Sequence, residues 1–438
     1  MAEFTRKMKK QGYTILGPDM APIHFRLIRN LFAEYGYHLE LLSGNSRACV
    51  DEGLKYVHND TCYPALLVIG QMMEALHSGK YDLDRTALIM TQTGGGCRAS
   101  NYIHLIRKAL EKDGLSHVPV ISLSTARLEK HSGFKLRLSM LRKALAILAY
   151  GDLLMLLVNQ TRPYEIRKGE SDALVDRWVE ELNALFRRRK GYSRREQKKI
   201  LPRIAREFAA IPLHKTPKVK VGIVGEIFVK YSPLGNNELE KFLAEQGCET
   251  MLPGIMGFFL ASVDHQLDDW DLYGGSRLKR AIMKFARNYL CRIDRDLLRA
   301  VSETGAFCVP SPYLEMKERA RGLIGFGCKM GEGWLLTAEM NELAELGYDN
   351  IVCAQPFGCL PNHVAGKGMI RKLKERYPAS NIVPVDYDAG ATKVNQENRI
   401  KLMLSVAAEK LNGKPAEAEE TETFAEAAAT EAPRAKEA

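Results

Sequence analysis

The sequence predicts an α/β protein of two doubly wound domains with a helical insertion and a disordered acidic tail. Three observations predict it. Tyr13 to Leu42 alternates strand, helix and strand, Val219 opens a second unit of the same kind, and two distant stretches repeat one plan of cysteine, helix, strand, glycine-bearing loop, helix and strand.

In the first domain, TILGP is a short apolar run closed by Gly17-Pro18. IHFRLIRNLFAEYG has helical spacing and stops at Gly36, and YHLELL extends again. A helix follows Cys62-Tyr63-Pro64 and ends at Gly79. ALIMTQ (87–92) reads as a strand, Gly94-Gly95-Gly96-Cys97 as its loop, RASNYIHLIRKALEKDG as the next helix and VPVISL as the next strand. Residues 134–208 read as the helical insertion. Phe134 to Leu157 is apolar, suited to covering a sheet or forming a dimer face, and Trp178 to Phe208 is charged. Pro212 and Pro217 flank a short polar stretch, which sets the boundary between a domain over 1–212 and one over 218–412.

The second domain opens with VKVGIVGEIFV (219–229), read as a strand, then a turn through Ser232 to Asn237 and a helix from Glu238 to Gln246. Residues 276–304 read as mostly helical. A helix from Trp334 to Leu346, strand NIVCAQ, loop Pro356 to Pro361, helix His363 to Arg376, strand NIVPVDY and a helix from Asn395 to Leu411 complete it. Residues 413–438 are rich in Glu, Ala, Thr and Pro, the composition of a disordered tail.

The chain has 438 residues, 46% hydrophobic and 26% charged, which is ordinary for a globular protein with an ample core. Its longest apolar stretch, Ala144 to Val158, is interrupted by Gly151 and Asp152 and is shorter than the ~20 residues a membrane span needs. MAEFTRKMKK lacks the apolar core of a signal peptide, so a cytoplasmic location is expected. The net charge of +10 is uneven: seven Glu against Arg434 and Lys436 leave 415–438 at −5, and hence 1–414 at +15. Much of that excess lies between Arg187 and Arg206. It fits a solvated helical face, or the docking of an acidic partner or anion. Nucleic acid is the weakest of these readings, since no zinc-finger spacing or aromatic RNA-binding signature accompanies the run.

Nine cysteines in a chain with no export signal read as reduced thiols, and clustered thiols then point to metal or catalysis. Cys62 precedes a helix and lies 35 residues before Cys97; Cys328 precedes a helix and lies 31 residues before Cys359. The repeated plan places cysteine at strand ends and helix starts, where open α/β sheets put their ligands. There exposed N–H groups and the helix dipole stabilise a thiolate, and the amides of Gly94, Gly95 and Gly96 can approach cluster sulfides. A site shared by two domains would draw on Cys62, Cys97, Cys328, Cys353 and Cys359, with an iron–sulfur cluster as the expected occupant. Spacing alone leaves zinc open. Cys248, Cys291 and Cys308 read as core, and Cys49 is ambiguous. No GxGxxG, GxxxxGK[ST] or HExxH occurs. His58, His104 and His363 lie near the cysteine loops and read as structural. Glu226, Glu332 and Asp388 read as helix caps or proton-transfer groups.

Longer stretches carry a family resemblance. NDTCYPALLVIGQ (59–71), TQTGGGCRASNYI (91–103), GEIFVKYSPLGNN (225–237), GEGWLLTAEM (331–340), CAQPFGCLPNHVAGKGMI (353–370) and DYDAGATKVNQENRIKLML (386–404) resemble the 2-hydroxyacyl-CoA dehydratase superfamily. The nearest branch is the dehydratase-like module fused behind, or encoded beside, an ATP-dependent activase. The resemblance spans about residues 10–412. It implies two Rossmann-like domains around a [4Fe-4S] cluster or a double-cubane cluster. It also implies an iron–sulfur ATPase partner of the acetate/sugar-kinase–actin type that drives single electrons uphill. In the dehydratases that electron makes a ketyl radical and lets water leave an acyl-CoA; double-cubane relatives reduce small molecules instead. A double cubane wants about six thiolates, and Cys49 would be the sixth. The resemblance further implies a homo- or heterodimer and anaerobic chemistry, as a lyase or an oxidoreductase. A redox carrier or scaffold without its own substrate is the alternative.

Overall fold

A computed structural model describes residues 2–44, 47–58, 60–93, 95–124, 129 and 131–413. The expected tail beyond Gly413, and Gly94 of the expected cluster loop, lie outside the described residues.

Two wholly parallel four-stranded sheets organise the chain. The first contains β1 (Thr14–Pro18), β2 (His38–Leu42), β3 (Thr86–Thr91) and β4 (Val120–Leu123), in the order β2-β1-β3-β4. The second contains β5 (Lys220–Gly225), β6 (Glu249–Met251), β7 (Asn350–Pro356) and β8 (Asn381–Tyr387), in the order β6-β5-β7-β8. These are the same permutation, so the repeat legible in sequence is a repeat of topology. The expected two-domain α/β architecture is thus observed. In each sheet the strand order reverses between two central strands, β1 and β3 or β5 and β7. A crevice opens there outside the strands' carboxyl ends.

Parallel strands need crossovers, and helices supply them. Around the first sheet run α1 (Arg6–Lys10), α2 (Pro22–Glu34), α3 (Arg47–Tyr56), α4 (Tyr63–His77) and α5 (Tyr102–Lys112). The helical insertion is α6 (Leu138–Thr161), α7 (Glu170–Arg187) and α8 (Arg194–Ala209). Around the second sheet run α9 (Ile227–Tyr231), α10 (Pro233–Asn236), α11 (Leu239–Glu245), α12 (Ile255–Tyr273), α13 (Arg277–Ser302), α14 (Tyr313–Arg319), α15 (Trp334–Glu345), α16 (Ile370–Arg376) and α17 (Lys393–Leu411).

The insertion is a shared wall. From Ala146 to Thr161, α6 is buried on every side, the signature of a helix with no solvent face. It packs on α2, α7 and α8 toward the first domain and on β6, α12 and α13 toward the second, so one continuous core runs through both. Its apolar stretch therefore covers the second sheet at β6 and the helices around both sheets, and is not offered as a dimer face. Among the described residues, no helix is long and apolar enough to cross a membrane.

Several elements differ from expectation, among them five with a local reason. The charged helix expected over 178–208 is two helices, because Arg189 (φ 57°) and Gly191 (φ 81°) turn the chain between them. Ser193 and Glu196 then open α8 with a reciprocal capping box. The strand expected over 219–229 stops at Gly225. The Glu226 carboxylate accepts from Val229 N at 3.0 Å and starts a helix instead. The helix expected over 363–376 begins as a π turn (Asn362–Gly366) and a 3-10 turn (Lys367–Met369) before α16. β6 and α12 were not expected: the strand is only three residues long, and α12 lacks a polar face to give it helical periodicity.

Candidate metal centre

The two crevices face each other across the seam between the domains, and chain segments cross it there. Tyr63 N donates to Phe357 O at 2.9 Å, Arg47 Nη1 donates to Ala389 O at 2.7 Å, and Ser232 Oγ donates to Asp19 O at 3.4 Å. The first contact joins the start of α4, just after Cys62, to the loop holding Cys359. A Cβ at Gly358 would stand 3.1 Å from Cys62 Cα, and Gly358 has φ +71°, so glycine permits both the close approach and the turn. On the neighbouring side, a Cβ at Gly96 would press on Met330 Sδ, which seats the Cys97 loop against the loop after Cys328.

Cys62 is the N-cap of α4 and Cys97 the N-cap of the 3-10 turn Arg98–Asn101, as the helix-start reasoning required. Cys359 immediately precedes the helical run that leads into the π turn. Burial raises all three thiols above the usual thiol value, and their neighbours show which groups face which. The Tyr102 hydroxyl, 3.2 Å from Cys62 Sγ, and the Ala65 amide hold Cys62 down, while Glu226 pushes it up. Cys97 is pushed up further by Glu332, Glu226 and Cys62, and Cys359 by Glu226, Glu332 and Cys62. One thiol from each of three chain segments, spanning both domains, thus senses Glu226, and Cys97 and Cys359 sense Glu332 as well.

Of those carboxylates Glu332 is buried and Glu226 half-buried. Glu226 caps α9, and Glu332 accepts from Ile227 N at 2.8 Å. Burial raises both above the ordinary carboxylate value, and with the facing charge of Glu332 it pushes Glu226 up to about 8. Behind them Lys230 Nζ bonds both oxygens of Glu339, at 3.0 and 3.1 Å, and both side chains are almost wholly buried. The site residues follow β3 (Cys97), β5 (Glu226) and β7 (Cys359), so they flank the points where strand order reverses.

The other predicted ligands stand apart. Cys353 lies within β7, fully buried, with its Sγ 3.5 Å from Asn362 Oδ1; burial pushes it up to about 12, and the charges it senses are Asp386, Glu339 and Lys367, none of them another thiol. Cys328 is half-buried at the rim and is raised by burial alone. Cys49 Sγ donates to Glu74 Oε2 at 2.7 Å where α3 packs on α4. Cys248 and Cys291 are buried, each pushed up to about 11, and Cys308 is half-buried, in keeping with core roles. His58 lies beside exposed Asp60, His104 is exposed, and His363 takes a bond from Gln355 Nε2 at 2.7 Å. Asp388 is half-buried after β8, close enough to act on Tyr63.

No protein-family model and no curated protein matches the chain.

Among the described residues, no three His, Cys, Asp or Glu side chains converge on a point that one metal ion would occupy. An iron–sulfur cluster sets a different requirement, because each thiolate binds its own iron and the sulfurs surround the cluster at separate corners. Three thiols on separate loops, at a seam whose walls come from both domains, fit that requirement. The seam supplies three thiols where a double cubane wants about six. Tyr102 and Met330 were missed by sequence reasoning. Nothing in their spacing marks them: the 3-10 turn alone brings Tyr102 onto Cys62, and only the fold brings Met330 onto Gly96.

Proposed function

We propose that the chain is an iron–sulfur redox protein of the 2-hydroxyacyl-CoA dehydratase type. Its cluster is held at the domain seam by Cys62, Cys97 and Cys359 and is fed with low-potential electrons by an ATP-dependent activase. One observation carries this reading: three thiols from both halves of the chain face Glu226 at the strands' carboxyl ends, and two of them face Glu332 beside it. Once bound, the cluster supplies one-electron chemistry and, where an iron is left open, a Lewis acid for a substrate oxygen.

The chain's own residues prepare the place. Burial keeps the thiols protonated until positive charge arrives, so loading releases protons. Tyr102 fixes the Cys62 side chain by its hydroxyl. Desolvation and the facing charge of Glu332 push Glu226 up to about 8, so the pair retains a proton at neutral pH, available to a substrate at the seam. A 2-hydroxyacyl thioester is the first substrate class to test, and a small reducible molecule the second.

Anaerobic reconstitution with iron and sulfide tests the reading. We expect about three to four irons per cluster, acid-labile sulfide in equal amount, and an EPR signal on reduction. Full occupancy by zinc with no iron rejects it.

A carrier without its own substrate is favoured by a separate observation. The rim carries exposed apolar side chains, Met330, Phe357, Leu360 and Val364, which suit a docked protein. A cavity of about 240 Å³ lined by Phe4, Lys9, Tyr13 and Tyr37 lies by the start of β1 and β2, at the opposite end of the sheet from the seam. Turnover of an acyl thioester by the reduced protein decides for the enzyme.

A further inference from the structure

The α12–α13 hairpin carries an apolar stripe that nothing among the described residues covers. Leu278, Ile282 and Phe285, at i, i+4 and i+7 of α13, are 72%, 53% and 74% exposed. The opposite side of α13 turns back to its own hairpin partner: Arg280 bonds Asp271 and lies 3.9 Å over the Trp270 ring, and Arg287 bonds Asp264 on α12. The stripe therefore points away from α12. Further along the same face, Ile293 and Leu297 are buried, and Asp296 is gripped by Arg194 of α8. The stripe is thus the interior face of α13 continued past the point where α8 covers it.

We infer that this face is where two copies of the chain pair, their α13 helices antiparallel about a twofold axis near Ile282. The stripe is self-complementary in that arrangement. An axis passing between Ala281 and Ile282 sets Leu278 opposite Phe285 of the partner subunit, and Phe285 opposite the partner's Leu278, as an isologous contact requires. Ala281 and Ala286 border the stripe and let the helices approach closely. With Tyr273 at the hairpin tip, 78% exposed, the face offers roughly 600 Å² of apolar surface per copy, against about 800 Å² per partner in a standard interface. Flanking cations Arg277, Lys279 and Lys284 make the acidic segment 415–438 the rival occupant, but that segment offers one large apolar side chain, Phe424, to a stripe of three.

Pairing would also bear on the seam. Asp269 of α12 is ion-paired with Lys329, the residue after Cys328, so bracing the hairpin braces that loop. The inference does not depend on what the seam binds.

Sedimentation and light scattering of the full chain at micromolar concentration test it. We expect a dimer, weakened roughly 30-fold or more by Ile282→Asp or by Phe285→Asp. Both positions are exposed, so circular dichroism should stay as in the parent. Ile282→Cys should form an oxidant-dependent covalent dimer beyond the parent's background, because a residue near the axis meets its own copy. Three results overturn the inference. One is a monomer at all concentrations. Another is a dimer indifferent to both aspartates. The third is a monomer whose residues 277–289 resist hydrogen exchange until Glu417, Glu419, Glu420 and Glu422 are changed to Gln, which gives the face to the acidic segment.

Discussion

The amide of Tyr63 donates to the carbonyl of Phe357 at 2.9 Å, so the turn that follows one predicted ligand is bonded to the loop that carries another, across the domain seam. Cys62 and Cys359 are thereby brought together by backbone, before any cofactor is considered. Gly358 lets this happen, with φ +71° and the Cys62 Cα standing where a side chain would press.

Gly358→Ala should therefore loosen the seam. A left-handed alanine costs about 1–2 kcal/mol, and crowding against Cys62 backbone adds to it, so a loss of ~2 kcal/mol is expected. Urea unfolding of the metal-free chain reads the loss, and iron uptake under reconstitution should fall with it. Parent-like stability together with parent-like iron would mean that this close approach is not what positions the thiols.

The nine cysteines should separate into classes. Cys62→Ala, Cys97→Ala and Cys359→Ala should each lower bound iron to less than about half, because each removes one corner of a cluster held by three or four thiolates. Cys353→Ala and Cys248→Ala should keep parent-like iron and lose only packing, about 1 kcal/mol each. Cys328→Ala should fall between. Iron and sulfide analysis of the six proteins gives the order, and Cys353→Ala without iron would return that thiol to the ligand set.

The carboxylate pair gives the metal-free chain a pH dependence of definite sign. Glu226 and Glu332 have values raised above the unfolded carboxylate value of 4.5, so below about that pH both are protonated in either state and the pair is harmless. As pH rises above it, the folded chain holds protons that the unfolded chain has released, and stability falls until the folded pair titrates. Glu332→Gln removes the facing charge, so the decline between acidic and neutral pH should be shallower than in the parent. Chemical denaturation at a series of pH values measures the slopes, and parallel slopes would show that the pair does not couple to folding.

The fold was largely legible because its signals are local: apolar runs closed by Gly or Pro gave seven of the eight strands, and the cysteine–helix–strand repeat gave the shared topology. What failed was also local. Glu226 sits at the end of an apolar run, and only its carboxylate's reach to Val229 shows that the chain turns there. The site was half legible. The expectation that cysteines stand at helix starts placed Cys62, Cys97 and Cys359. Cys353, expected inside a strand, lies within β7 with its thiol on Asn362. Tyr102 and the Glu226–Glu332 facing required tertiary structure, since the two glutamates are more than a hundred residues apart.

The last prediction concerns how the hairpin is anchored. Asp152, in the middle of buried α6, is bonded by three donors: Ile255 N at 2.8 Å and His24 Nε2 at 2.9 Å on one oxygen, and Met256 N at 2.8 Å on the other. A carboxylate from the shared wall thus caps α12, whose own N-cap residue, Gly254, has no side chain to do so, and its charge suits the positive end of that helix. Asp152→Ala would strand two buried N–H groups, at about 1–3 kcal/mol each, so a loss of ~3 kcal/mol is expected. Asp152→Asn keeps one acceptor oxygen and turns an amide against the other donors, so it should be destabilising but less so. Because the bonds lie at the root of the α12–α13 hairpin, Asp152→Ala should also speed proteolytic cutting within residues 255–302 more than elsewhere. If stability falls while the hairpin stays as resistant as in the parent, Asp152 supports the core of α6 and does not anchor the hairpin.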